Sequence, residues 1–304
     1  MDDKFHMTFA ENIFLAKKIL VGNIYNAAKL EGVNTTFPET EAILSGVNVP
    51  GAKLDDIQII LNLRDAWRDL LATVKTAKVD LKLIKSINAN VSRNESLAWG
   101  KLRTGKVGIA GTNHKPMVPN EIIMRQGIAK ILSDKTKSVT ERAIDLMLYI
   151  MYNQLFWDGN KRTATIAANA FLIQHGAGVL SVAEPDIVEF NACLKYYYDT
   201  GGDQGLKRFL YDKAIINFDS KITDENATIN ATINVPEKTP LSKTEIKVLA
   251  AISHNPFITY DELANKTKKN RKTVARAIAE LKSHGIISRQ GSNKSGYWLI
   301  SAEK

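Results

Sequence analysis

The chain has 304 residues, 44% of them hydrophobic and 24% charged, with a formal charge of +9 and one cysteine. That length carries about two domains and is too long for a single small module, and the composition excludes a disordered or fibrous chain. Cys193 has no partner for an internal disulfide, and a reducing compartment fits.

In chain order, the first pattern is helical. Residues 9–31 place Ile13, Phe14, Ala16, Leu20, Ile24, Ala27 and Ala28 at helical spacing and stop at Gly32, a glycine at a helix end. Residues 53–75 repeat it through Ile57, Ile60, Leu61, Leu63, Trp67, Leu70 and Leu71, with Asp55 and Asp56 at the start, where the helix dipole favours acids. Residues 81–96 continue as helix. Glycines at 100, 105, 108 and 111 and prolines at 116 and 119 then break the pattern, and glycine at this density predicts a short exposed hairpin. Two strongly apolar stretches, 139–157 and 161–176, flank the polar segment Trp157-Asp158-Gly159-Asn160; helices apolar all round lie inside a bundle. Met147 and Met151 belong to that core.

The segment from Trp157 to Leu172 carries the chemistry. A tight turn at Gly159 followed by Asn160, Lys161 and Arg162 opens a helix, so free backbone amides and two cations meet at one point, which makes an anion site. Asp158 just before the turn suits a divalent cation that bridges phosphate oxygens. The same residues also read as an ordinary helix start, capped by Asp158, with Lys161 and Arg162 solvated.

Residues 218–240 are polar, rich in Asn and Thr and closed by two prolines, the composition of a linker. From Thr239 to Lys304, twelve Lys and Arg face five Asp and Glu, so the surplus of positive charge belongs to the tail. Residues 240–255 form one helix, with Ser242 or Lys243 near its start and Ile246, Leu249, Ala250 and Ile252 on a face. Thr259 leads a short second helix with Leu263 and Ala264, and a turn through residues 266–270 precedes a third with Val274, Ile278 and Leu281 at i, i+4 and i+7. That is the helix-turn-helix pattern. The β-type runs 286–289 and 297–300 complete the resemblance to a winged helix. In that geometry Arg271, Lys272 and Thr273 enter the major groove, Arg276 follows one turn on, Lys268 and Lys269 meet phosphates, and Asn293 and Lys294 lie in the wing. A winged helix used for protein contacts has the same pattern. A module of this size binds DNA weakly alone, so a homodimer is expected if the protein regulates transcription.

The residues Gln154-Leu155-Phe156-Trp157-Asp158-Gly159-Asn160-Lys161-Arg162 resemble the signature of the Fic/Doc family, H-x-F-x-[DE]-G-N-[GK]-R, with Gln154 at the histidine position. Leu30-Glu31-Gly32 is similar to the end of the family's inhibitory helix motif, with Ala27 where Ser or Thr stands, and residues 102–111 resemble its flap. The resemblance implies a mainly α fold: a Fic-type helical bundle with a β-hairpin flap, followed by a small α+β winged helix. It divides the chain into an N-terminal helical region with an inhibitory-helix-like segment (1–90), a Fic core (91–217), a linker (218–240) and the winged domain (241–304).

The resemblance further implies transfer of AMP (AMPylation), or of phosphate as in the Doc branch, from ATP to a Ser, Thr or Tyr hydroxyl of a protein. Asp158 would bind Mg²⁺; Gly159, Asn160 and Lys161 would form the anion hole; Arg162 would hold outer phosphates; Phe156 would anchor the loop. Val107, Gly108 and Ile109 would pair with the target segment by strand addition, and Glu31 would be inhibitory. Lys161 and Thr165 resemble the Doc branch, where Thr165 replaces the arginine that the inhibitory glutamate pairs with. The family's histidine is the general base, worth about 10²–10⁴ in rate, and Gln154 accepts no proton near neutral pH. A silent core that binds nucleotide, joined to a DNA-binding tail as a transcriptional regulator, is the alternative to an active transferase. His114 follows the flap, but a lone loop histidine is more often solvated than catalytic. The lack of a long apolar run and of a signal-type start places the protein in the cytoplasm, away from membranes.

Overall fold

The computed structural model describes residues 1–218, 242–255, 258–283, 286–290 and 297–300. All of the expected linker except Phe218, and the wing residues Asn293 and Lys294, lie outside the described residues. Chain contacts divide the protein into two units, Met1–Ile233 and Asn234–Lys304.

The first unit is helical. Thr8 opens α1 (Phe9–Lys18) through a capping box with Glu11, and α2 (Leu20–Leu30) follows at once. The single helix expected over 9–31 is therefore two: Ile19 leaves helical geometry at φ −99, ψ 15. Phe14 consequently does not join the core; it is 61% exposed and leans on Phe218. α3 (Phe37–Leu44), α4 (Leu54–Thr73) and α5 (Leu81–Val91) follow. After a long irregular stretch come α6 (Glu121–Ser133) and α7 (Val139–Asn153). α8 (Asn160–His175) is buried along almost its whole length, the polar Asn160, Arg162, Thr163 and Asn169 included, and α1, α4, α5 and α7 surround it. Leu146, Met147, Ile150 and Met151 of α7 are fully buried. Next come β1 (Val179–Leu180), α9 (Ile187–Thr200), α10 (Gln204–Phe209) and β2 (Ile215–Ile216), the two strands pairing antiparallel.

The second unit has a core of its own. α11 (Lys243–His254), α12 (Tyr260–Thr267) and α13 (Arg271–Ser283) pack through Val248, Leu263, Val274, Ile278 and Leu281. β3 (Ile287–Gln290) and β4 (Tyr297–Ile300) form an antiparallel hairpin with Ile287 opposite Ile300. Trp298 is buried over this core, and its indole N–H donates to the Ile258 carbonyl at 3.0 Å, the partner a buried indole needs.

Candidate functional site

α7 ends at Gln154 in the left-handed region (φ 44) and α8 starts after Gly159, also left-handed (φ 70). Between these bends Leu155 and Phe156 are fully buried and pin the loop. Asn160 staples it: its side chain accepts from the Phe156 N–H at 2.9 Å and donates to the Phe156 carbonyl at 2.9 Å and to Gln154 Oε1 at 3.1 Å. Both Asn160 N–H donors are thereby engaged within the loop.

Glycine is required at 159 twice over. Its φ disfavours any side chain, and a Cβ there would come within 2.7 Å of Ser92 Oγ and 2.8 Å of Val91. The crowding comes from α5, which holds the loop from behind. Asn88 Nδ2 lies 3.0 Å from the Asp158 carbonyl oxygen, and Ser92 Oγ lies 3.2 Å from the same atom; both side chains are fully buried. Because a trans peptide points its C=O and N–H in opposite directions, anchoring that carbonyl on α5 turns the Gly159 N–H the other way, where it meets Asp158 Oδ1 at 2.6 Å. Asn88 Oδ1 also accepts from Gly100 N–H at 2.9 Å, so one side chain joins the Asp158–Gly159 turn to the root of the flap.

No side chain caps α8. The reading of 158–162 as an Asp-capped helix start therefore fails, because the Asp158 carboxylate reaches only its neighbour's amide and leaves the helix's own first N–H groups uncovered by it. Asp158 is 51% exposed and, with Glu31, Gln154, Asn160, Lys161 and Tyr198, lines a cleft of 430 Å³ whose other wall is flap residues Ile109 to Thr112. A larger groove of 860 Å³ between α5 and α6 contains none of these residues.

The two cations differ. Lys161 sits at the cleft, donating to the Leu30 carbonyl at 3.0 Å and lying 3.6 Å from Glu31. Arg162 is 3% exposed and turns inward: it donates to the Val91 carbonyl at 3.0 Å and Glu95 at 2.8 Å, with Glu31 at 3.8 Å and Asp158 at 3.8 Å. Arg162 Nε and Glu31 Oε1 are buried and have no hydrogen-bond partner. Glu31, at the end of α2, thus faces Lys161 and Arg162 in place of the missing arginine at Thr165, whose hydroxyl donates to the Lys161 carbonyl.

The Gln154 side chain is engaged at both its nitrogen and its oxygen. Its Nε2 donates to the Met151 carbonyl at 2.7 Å and to the Tyr198 hydroxyl at 3.3 Å, and its Oε1 accepts from Asn160. Burial pushes the Tyr198 hydroxyl above the usual tyrosine range, so it stays protonated and is no base at neutral pH. His114 stacks on Tyr198 at 5.7 Å between ring centres and its Nε2 is 2.8 Å from the Tyr152 carbonyl; it does not line the cleft.

The flap expected as a β-hairpin contains no strand. The segment turns at Ile109–Thr112, where the Thr112 N–H donates to the Ile109 carbonyl, and its two ends are tied by Arg103. This guanidinium is 1% exposed and donates to the carbonyls of Gly105, Pro116, Met117, Asn153 and Gln154. The stretch with Val107, Gly108 and Ile109 pairs with no strand. Asn88, Ser92, Glu95, Arg103 and Tyr198 are the site residues that the sequence motifs did not announce.

In the second unit, Lys268, Lys269, Arg271, Lys272 and Arg276 are exposed and Thr273 half-buried, along the α12–α13 turn and the first turns of α13. Arg271 is paired with Asp261 of α12, at 2.8 and 3.0 Å to its two oxygens.

Residues 78–172 match the Fic/DOC family, and residues 241–288 match the winged helix-turn-helix DNA-binding family. The chain carries a Fic/DOC family domain. Solved structures of similar fold include Fic-1 (residues 134–508) from C. elegans, 22% identical with TM-score 0.55 over 63% of this chain and 59% of that one. A Fic family protein from Desulfovibrio desulfuricans G20 is 12% identical with TM-score 0.55, over 96% of this chain and 89% of that one. A Fic-domain-containing signalling protein from Bacteroides thetaiotaomicron VPI-5482 is 17% identical with TM-score 0.54, over 67% and 86%. These likenesses establish fold, and the chain spans about three fifths of the C. elegans fragment. No curated protein matches the chain. No helix among the described residues is long and apolar enough to cross a membrane.

Proposed function

We propose that this Fic-domain protein is a phosphate-sensing regulator: its core holds the phosphates of Mg·ATP at residues 158–162, its flap receives a protein segment, and its second unit binds DNA. The observation that carries this reading is the pairing of an α8 N-terminus without a side-chain cap, flanked by cations, with a Gln154 whose amide is hydrogen-bonded at both ends and has no basic atom. Binding chemistry is retained where proton-abstracting chemistry is missing.

The residues fit the nucleotide in part. Lys161 and the backbone amides at the start of α8 would hold phosphate oxygens, with the buried charge of Arg162 behind them. Among the described residues no three acidic, histidine or cysteine side chains converge as a metal site, so Asp158 would hold Mg²⁺ only together with the phosphates themselves. The ion would supply charge neutralisation for those phosphates. Glu31 competes with the phosphates for Lys161 and acts as a brake on binding.

The exposed Asp158 and the open 430 Å³ cleft beside the flap favour a second reading, a slow transferase of AMP or phosphate to a protein hydroxyl. ATP labelled in parallel at the α and γ positions separates the two. The regulator reading expects Mg·ATP binding with neither label entering protein; label from the α position supports AMP transfer, label from the γ position phosphate transfer. For the second unit, DNA affinity that falls steeply with salt is expected in a gel shift.

A further inference from the structure

Apart from the cleft, α2 and α8 share a cavity of about 20 Å³, lined by Asn23, Ala27, Trp67, Arg162, Thr165 and Ser181 among others. Two of these residues carry buried donors without a partner. Asn23 of α2 is 5% exposed and Arg162 of α8 3%, and neither Asn23 Nδ2 nor Arg162 Nε has a hydrogen-bond partner. Burying a donor unpaired is costly, and native folds rarely leave one so. The neighbouring hydroxyls are already committed: Thr165 donates to the Lys161 carbonyl at 3.0 Å, and Ser181 Oγ accepts from Asn26 Nδ2 at 3.0 Å. A hydroxyl oxygen has two lone pairs, so both can still accept a proton from a guest. The cavity exceeds the roughly 10–15 Å³ that one water molecule needs, and its lining offers the two to four polar partners that hold one.

We propose that this cavity binds one structural water, which accepts from Asn23 Nδ2–H and Arg162 Nε–H and gives its own protons to the Thr165 and Ser181 oxygens. The water thereby joins α2 to α8. A halide ion would suit the two donors equally well, but the charge around Arg162 opposes it. That guanidinium already has Glu95 at 2.8 Å and both Glu31 and Asp158 at 3.8 Å, and three carboxylates around one cation repel a further anion. Glu31 stands at the end of α2, about two turns beyond Asn23, so the water steadies Glu31 against Arg162. This last consequence rests on the reading of Glu31 as a brake on phosphate binding; the water site itself does not.

A crystal structure of the full chain grown in bromide, at a resolution that shows ordered water, tests the site directly. The expected result is one peak within roughly 2.7–3.2 Å of both nitrogens, without the anomalous signal of bromide. A bromide peak, no peak, or direct bonds from the two nitrogens to protein oxygens would overturn the proposal. Thermal unfolding of Asn23→Leu gives an independent sign. Around a bound water, this substitution of similar shape removes one of its partners and should lower the melting temperature by about 2–4 °C. Around a dry cavity it deletes an unpaired donor instead, so an equal or higher melting temperature would also contradict the water. In titrations with Mg·ATP, Asn23→Leu should bind about twofold more tightly as α2 loosens, in the same direction as Glu31→Ala. A gain in Glu31→Ala without one in Asn23→Leu breaks the link from the water to Glu31; no gain in either strikes the brake reading, and the crystal and melting results still decide the water.

Discussion

Gly159 and Asn88 between them decide where the Asp158–Gly159 peptide points. Gly159→Ala forces a side chain into the left-handed region, about 1–2 kcal/mol of strain, and drives a methyl against Ser92 and Val91. We expect thermal unfolding to show a loss at least that large; a variant as stable as wild type contradicts the crowding. Asn88→Asp keeps the shape but replaces the donor facing the Asp158 carbonyl with an acceptor, which costs about 1–3 kcal/mol. Calorimetric titration should then show Mg·ATP affinity falling with stability, and unchanged affinity would detach α5 from the site. At residue 154, Gln154→His restores a proton acceptor, and labelled ATP should enter protein only in that variant. The motif residues Asp158, Gly159, Asn160 and Lys161 were legible in the sequence because they are contiguous. Asn88, Ser92 and Arg103 were not, because their work is done on carbonyls about 50 to 70 positions away, and an acceptor of that kind leaves no sequence pattern.

The elements act through their ends. α2 presents its last carbonyl and Glu31 to Lys161, C-terminus against N-terminus, so the negative end of one helix quiets the cation of the other. Glu31→Ala should raise Mg·ATP affinity about two- to fivefold, the scale of a partly exposed ion pair; no change would remove Glu31 as a brake. In the second unit, the exposed Arg271 pairs with Asp261, which would compete with DNA for its charge. Asp261→Ala should steepen the dependence of DNA affinity on salt by about 0.9 in log–log slope, one further phosphate contact, and an unchanged slope would leave Arg271 out of the interface. Helical periodicity disclosed α4, α7, α8 and α13, whose buried stripes are regular. It merged α1 with α2, since Ile19 is as apolar as its neighbours and the break there is a backbone event. The glycine density suggested a flap hairpin where the structure has an irregular loop, since the glycines permit a turn but no second strand is present to pair with.

At the scale of the molecule, two cores sharing one chain imply two cooperative units. Differential scanning calorimetry should resolve two transitions, with Mg·ATP raising the larger and cognate DNA the smaller; one transition moved by both ligands would contradict independent cores. The Fic-type fold and the winged helix-turn-helix match fix what is built. The most direct test is isothermal titration of the full chain with Mg·ATP beside its Lys161→Ala variant. Wild-type binding with no accompanying label transfer, weakened about tenfold or more in the variant, is the expected result. Heat of binding identical in the two proteins, or none in either, would contradict a phosphate site at the start of α8.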